Sequence, residues 1–143
     1  MKQRFSYLLC ICLLPSTLLL AQKRKNYEVK SQDGSISVTI EAGNKLQWSV
    51  QHKGQQVIAP SAISMQLADN VILGDNAVIT SAPTKKVNAV INAINYKKAT
   101  INDQYNELTL NCKNDYGVIF RVYNDAVAYR FFTKKKGDVI IKN

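Results

Sequence analysis

Histidine, cysteine and glutamate are scarce in this sequence of 143 residues: beyond position 21 it has one histidine, His52, one cysteine, Cys112, and three glutamates, Glu28, Glu41 and Glu107. A single histidine with no second candidate makes neither a metal site nor an acid–base pair. No metal-ligand spacing, glycine-rich phosphate loop or nucleophile elbow is present. One cysteine forms no intramolecular disulfide, so stability has to come from a hydrophobic core. These absences predict a domain without a complete active site. No residue is assigned a catalytic, cofactor-binding or metal-binding role.

The first 21 residues have the layout of a secretory signal peptide. Lys2 and Arg4 precede an apolar stretch from Phe5 to Leu20, and Ala21 closes it before the polar run Gln22-Lys23-Arg24-Lys25. Pro15-Ser16-Thr17 interrupts the stretch, which is shorter than the roughly 20 apolar residues a spanning helix needs. Cys10 follows Leu8-Leu9 and Cys12 follows Ile11, not the small residue that lipid attachment requires. The expectation is therefore cleavage after Ala21, export to the periplasm without a stable membrane anchor, and one domain over 22–143.

Losing Lys2 and Arg4 lowers the formal charge from +9 to +7, leaving 17 basic residues against 10 acidic ones. Nucleic-acid binding needs such charge focused on one face and interleaved with aromatics. Here it is scattered through Lys23-Arg24-Lys25, Lys85-Lys86, Lys97-Lys98 and Lys134-Lys135-Lys136, which read as termini or turns. No nucleic-acid partner is expected.

Period-two alternation dominates the rest. Ile36, Val38 and Ile40 oppose Ser35, Ser37, Thr39 and Glu41. Gly43-Asn44 turns the chain, and Leu46, Trp48 and Val50 complete a hairpin. A second turn at His52-Lys53-Gly54-Gln55 leads to Val57-Ile58; Pro60-Ser61 punctuates, and Met65 with Leu67 marks a short strand ending near Asp69-Asn70. Val87, Val90, Ile91 and Ile94 fit a helical face, while Val87, Ala89, Ile91 and Ala93 fit a strand face. Asn88, Asn92 and Asn95 disfavour the helix, so a strand is predicted. Leu108, Leu110 and Cys112 then share one face, Asp115-Tyr116-Gly117 turns, and Val118, Phe120 and Val122 form the next strand. After Asn124-Asp125, the run Val127, Tyr129 and Phe131 alternates with Ala126, Ala128, Arg130 and Phe132. Apolar residues on both sides predict a central strand. Lys134–Gly137 turns before a last strand at Val139-Ile140-Ile141. The architecture expected is all-β, an antiparallel β-sandwich of about nine short strands, whose final apolar run reads as cut short.

The remaining polar residues have structural explanations. Asp33, Asp69, Asp103, Asp115, Asp125 and Asp138 sit beside glycine or asparagine or at strand ends, as turn-closing aspartates do. Trp48, Tyr105, Tyr123 and Tyr129 lie in alternating segments and are assigned to packing, not to sugar stacking. Cys112 reads as a buried, inert thiol and His52 as an exposed hairpin residue. Arg121 and Arg130, set in the most apolar strands, have to meet partners or reach solvent; salt bridges to turn carboxylates are expected for both, serving the fold and domain contacts and not the binding of anionic ligands.

The ordered segments Ser31-Gln32-Asp33-Gly34, Val57-Ile58-Ala59-Pro60-Ser61 with Met65-Gln66-Leu67, Ile101 to Leu108, and Phe120 to Phe131 together resemble the N-terminal domain of glycoside hydrolase family 97. The resemblance covers nearly all of 22–143. It implies a β-supersandwich of the galactose mutarotase-like kind, from an exported α-glucosidase or α-galactosidase. The partners it implies are a catalytic (β/α)₈ barrel of the same polypeptide and an α-linked oligosaccharide. The resemblance puts the catalytic carboxylates on that barrel and calcium in the whole enzyme, with no cofactor in this segment. Ala126 departs from the family's usual glycine. Two functions stay open: a non-catalytic, substrate-shaping domain of a glycosidase, or a free periplasmic carbohydrate-binding sandwich.

Overall fold

The computed structural model describes residues 24–92, 94, 97 and 99–142. The expected signal peptide, Lys23, Ala93, Asn95 and Lys98 lie outside the described residues. Eleven strands occur among those described: β1 (Lys25–Lys30), β2 (Ile36–Ala42), β3 (Leu46–His52), β4 (Gln55–Ala62), β5 (Met65–Gln66), β6 (Ile72–Leu73), β7 (Ile79–Ser81), β8 (Thr84–Asn92), β9 (Thr100–Cys112), β10 (Tyr116–Val122) and β11 (Val127–Thr133). They form a four-stranded sheet ordered β1-β2-β3-β4 and a second sheet ordered β11-β10-β9-β7. In the second sheet β8 follows β7 along the same edge of β9, and β5 and β6 pair separately. All these pairings are antiparallel.

Alternation places the core. Ile36, Val38, Ile40, Leu46 and Val50 from the first sheet meet Leu108, Leu110, Val118, Phe120 and Val122 from the second in one buried cluster. The intervening Ser37, Thr39 and Glu41 remain partly exposed. Two packed inner faces make a β-sandwich. Phe120, fully buried, is the largest side chain at the centre, and Trp48 packs on it from the opposite sheet at a centroid distance of 6.2 Å. Tyr129 closes the edge, 5.2 Å from Trp48 and 5.8 Å from Phe120. Leu67, Leu73, Cys112 and Tyr116 form a smaller second cluster.

Local chemistry explains the turns. Lys53 (φ 49°) and Gly54 (φ 80°) both take positive φ, as a two-residue loop between twisted antiparallel strands requires. At the β9–β10 connection Asn114 (φ 72°) and Asp115 (φ 59°) bear the left-handed conformation. The turn expected at Asp115-Tyr116-Gly117 thus lies earlier, at 113–115, and Tyr116 and Gly117 belong to β10. Gly117 is needed there because a Cβ would run into Leu110 O and the Phe132 ring, which covers the bare backbone. Ala126 keeps an ordinary backbone conformation in the β10–β11 turn, where Tyr123 N–H donates to Ala126 O at 2.8 Å, so alanine is unstrained there.

Several expectations need correction. Among the described residues the strands number eleven where about nine were expected, and β9 runs for 13 residues. β1 occupies a segment that reads as a charged terminus; only its Val29 is buried. Pro60-Ser61 does not interrupt β4, because β4 is an edge strand where a missing N–H is tolerated. Lys85 and Lys86 lie within β8, exposed, and not in a turn. Residues 139–141 form no strand; only Ile141 bridges to Leu67. β11 is an edge strand among the described residues, although both of its faces carry apolar side chains. The segment chosen as a strand over a helix is one, β8, and Val87, Ala89 and Ile91 share a face as expected: they stand opposite Tyr105, Asp103 and Ile101.

Truncating Phe120 to alanine removes the central contact of both sheets. It should lower unfolding free energy by about 3–5 kcal/mol, read from urea denaturation. Gly117→Ala should lower it by about 1–3 kcal/mol through overpacking.

Candidate functional site

With Leu108, Leu110 and Cys112 committed to the interior, the odd-numbered residues of β9 fall on the outer face of the second sheet, beside Ile119 and Arg121 of β10. Register brings Arg121 directly opposite Glu107, and the Arg121 Nε–H donates to Glu107 Oε2 at 2.8 Å. The Arg121 side chain keeps 36% of its surface exposed and that of Glu107 15%. The guanidinium also lies over the Tyr105 ring, 4.6 Å from its centroid, a cation–π contact. Tyr105 packs on Tyr123 at 5.1 Å, and the Tyr123 hydroxyl donates to Asp103 Oδ1 at 3.2 Å.

These contacts form one connected patch: Asp103, Tyr123, Tyr105, Arg121 and Glu107. Its electrostatics follow from the pairing. The bond to Glu107 raises the Arg121 pKa, with desolvation opposing it. Desolvation, reinforced by Asp103, pushes the Tyr123 hydroxyl up. Glu107 and Asp103 are both engaged, so neither is placed as a free general base. The patch's polar groups are spent on one another.

Other singled-out residues are dispersed. His52 is exposed at the end of β3 and Cys112 is buried, its thiol pushed up by burial. Trp48 is spent on Phe120 and Tyr129. Arg130 is exposed on β11, facing the apolar Ile119 across the register, and forms no salt bridge among the described residues. Asp33 does close a turn: its Oδ1 accepts from Ser31 Oγ at 2.6 Å, from Ser35 N at 2.9 Å and from Ser35 Oγ at 2.8 Å. Asp69 closes another through Val71 N at 3.2 Å. Asp103 is the exception, sitting within β9 and bonded to Tyr123.

Two features escape the one-dimensional reading. Glu107 as the partner of Arg121 emerges only once β9 and β10 are in register. Gln32, in the β1–β2 turn, donates its side-chain amide to Val87 O at 2.9 Å and Tyr105 O at 3.2 Å, fastening the first sheet to the β8–β9 pair. No three His, Cys, Asp or Glu side chains converge among the described residues.

Comparison with known proteins gives the context. The model of the family described as "Glycosyl-hydrolase 97 N-terminal" matches residues 29–143. A retaining alpha-galactosidase from Bacteroides thetaiotaomicron is 37% identical over 128 residues, covering 90% of this chain but 19% of that protein. Among solved structures, a glycoside hydrolase family 97 enzyme from Pseudoalteromonas sp. strain K8 in complex with acarbose superposes with a TM-score of 0.71 at 24% identity, over 80% of this chain and 19% of that one. A beta-arabinopyranosidase does so with a TM-score of 0.73 at 25% identity, over 81% and 20%. The chain thus spans about a fifth of the length of these relatives.

The half-exposed Arg121–Glu107 pair sits between the surface and buried limits, so Arg121→Ala should cost about 1–2 kcal/mol in urea denaturation. Arg130→Ala, with no partner to orphan, should cost less than about 0.5 kcal/mol. Two pH effects accompany the fold. Hydrogen bonds from Ser31 and Ser35 hold the Asp33 carboxyl down at about 2. That lies below its unfolded value, so its stabilisation is present above about pH 4 and lost as pH falls toward 2. Burial pushes the Tyr116 hydroxyl up to about 12. Its contribution is complete below about pH 10 and lost as pH rises toward 12. Thermal melts across both ranges check this, with Asp33→Asn expected to flatten the acid limb.

Proposed function

Because the chain belongs to the glycosyl-hydrolase 97 N-terminal family, we propose that it serves as the non-catalytic β-sandwich of an exported, periplasmic α-glycosidase. It packs on a catalytic (β/α)₈ barrel and shapes the approach of an α-linked oligosaccharide. The observation that carries this reading is an exposed apolar face on the β8–β9 pair. Ile91 and Ile101 stand opposite one another with 49% and 40% of their surfaces exposed, and Val90 is 65% exposed on the other side. Strand pairs that present large aliphatic groups to water are covered in the assembled protein.

The barrel supplies the acid, the nucleophile or base and the calcium; this domain supplies a docking face and a rigid frame. The relatives' names span a retaining alpha-galactosidase and a beta-arabinopyranosidase, which supports assigning sugar choice to the barrel. A free carbohydrate-binding module needs an open aromatic platform. Trp48 is packed between Phe120 and Tyr129, and Tyr105 lies buried beneath Arg121.

The protein purified from Gln22 should not hydrolyse nitrophenyl α-galactoside or α-glucoside. It should bind an apolar-surface dye and show concentration-dependent light scattering. Ile91→Lys combined with Ile101→Lys should abolish both signals without lowering the melting temperature. Sugar binding by a dye-negative monomer would instead establish the free binding module.

A further inference from the structure

Toward the start of β9 the second sheet narrows to two strands. β10 pairs with β9 from Tyr116 opposite Cys112 to Val122 opposite Asn106, whereas β8 runs on along β9 to Asn92 opposite Thr100. Residues 87–92 and 100–105 therefore have each other as their sole strand neighbours among the described residues. Of these, Tyr105 alone is buried, and none belongs to either hydrophobic cluster of the described residues. A two-stranded antiparallel ribbon is marginal in water by itself, so this one is kept in place by the contacts at its root.

Two sets of contacts meet there. Tyr105 packs beneath Arg121 and beside Tyr123, whose hydroxyl donates to Asp103. From the first sheet, the Gln32 amide donates at 2.9 Å to Val87 O and at 3.2 Å to Tyr105 O. Val87 and Tyr105 stand opposite one another, on the first rung that β10 no longer supports. Gln32 is itself held. Ser31 N–H donates to Ile36 O at 2.8 Å and Ile36 N–H to Ser31 Oγ at 2.9 Å, closing the turn that carries it. Asn106 Nδ2 donates to Lys30 O at 2.8 Å, and Asn124 Oδ1 accepts from Asp33 N at 3.2 Å, tying the same turn to the second sheet. A fixed donor is thus presented to a ribbon that has little else to fix it.

We infer that residues 88–92 and 100–104 form a hinged arm, which opens as one unit while the sandwich stays folded, and that Gln32 is the latch that opposes the opening. Contiguous units with few buried contacts open at lower free energy than a core does. Gln32 acts as a positioning residue: it fixes Val87 and Tyr105, and through them the direction of the strands beyond. Ile91 and Ile101 ride on this arm, but the inference rests on the arm's own contacts and holds whatever covers them. Dye binding measures the packing reading and amide exchange measures the hinge, so the two fail separately.

Native-state hydrogen exchange of the protein from Gln22, resolved by amide and repeated at rising sub-denaturing urea, tests this. Amides of the arm that bond across β8–β9 should share one protection factor, roughly tenfold or more below those of β2 and β10, and nearly independent of urea. Gln32→Ala should lower the arm's protection about tenfold, the scale of two lost hydrogen bonds. Ile40→Val should lower protection at Val38, Leu110 and Phe120 about fivefold and leave the arm unchanged, because core contacts survive its opening. Arm amides that match β10 in protection and urea dependence would overturn the hinge, and that measurement requires no variant to fold. Unchanged arm protection in Gln32→Ala would overturn the latch, as would an equal loss in arm and core in Ile40→Val.

Discussion

Val38, Ile40 and Leu46 on one side, and Leu110, Val118, Phe120 and Val122 on the other, are almost entirely withdrawn from water. They come from four strands, β2, β3, β9 and β10, yet all need the same dry layer, and no disulfide joins the two sheets among the described residues. Cys112, the cysteine among the described residues, is unpaired. The layer therefore sets everything around it. Strand pairing arranges the two sheets, but burial between them decides which residues face out, and so which of them are free to meet a partner.

The parts of the fold that depend on this layer were the legible ones. β2, β3, β9 and β10 alternate cleanly because one face is buried, and their inward residues were identified correctly. Legibility fails where burial is weak. β1 has a single buried residue, Val29, amid lysines. β7 spans three residues and pairs only with the end of β9. β11 looks like a central strand because Ala128 and Phe132 stand on its outer face while Val127 and Phe131 pack on the core. Phe132 lies outside for a local reason, covering the glycine opposite it.

The candidate site was half legible. An arginine in an apolar strand must meet a partner, and Arg121 does. That the partner is Glu107 depends on a register between strands, which no single-strand pattern contains. Arg130 forms no salt bridge among the described residues, contrary to expectation, because its place on an edge strand lets the guanidinium reach solvent. Asp103 departs from the turn chemistry of the other aspartates because β9 continues past the point where the sandwich ends, carrying it into a strand.

That extra length has a mechanical side. Leu108, Leu110 and Cys112 are gripped by the interior, while Thr100–Asn102 at the far end of the same strand are exposed. Eight residues separate Leu108 from Thr100, a reach of roughly 25 Å at the usual strand rise. β9 behaves as a lever with its fulcrum at the edge of the core, where Gln32 clamps Tyr105 and Val87. A small change in tilt at Leu110 is magnified at the tip, so substitutions in the interior can re-aim a distant contact without altering a residue that touches it.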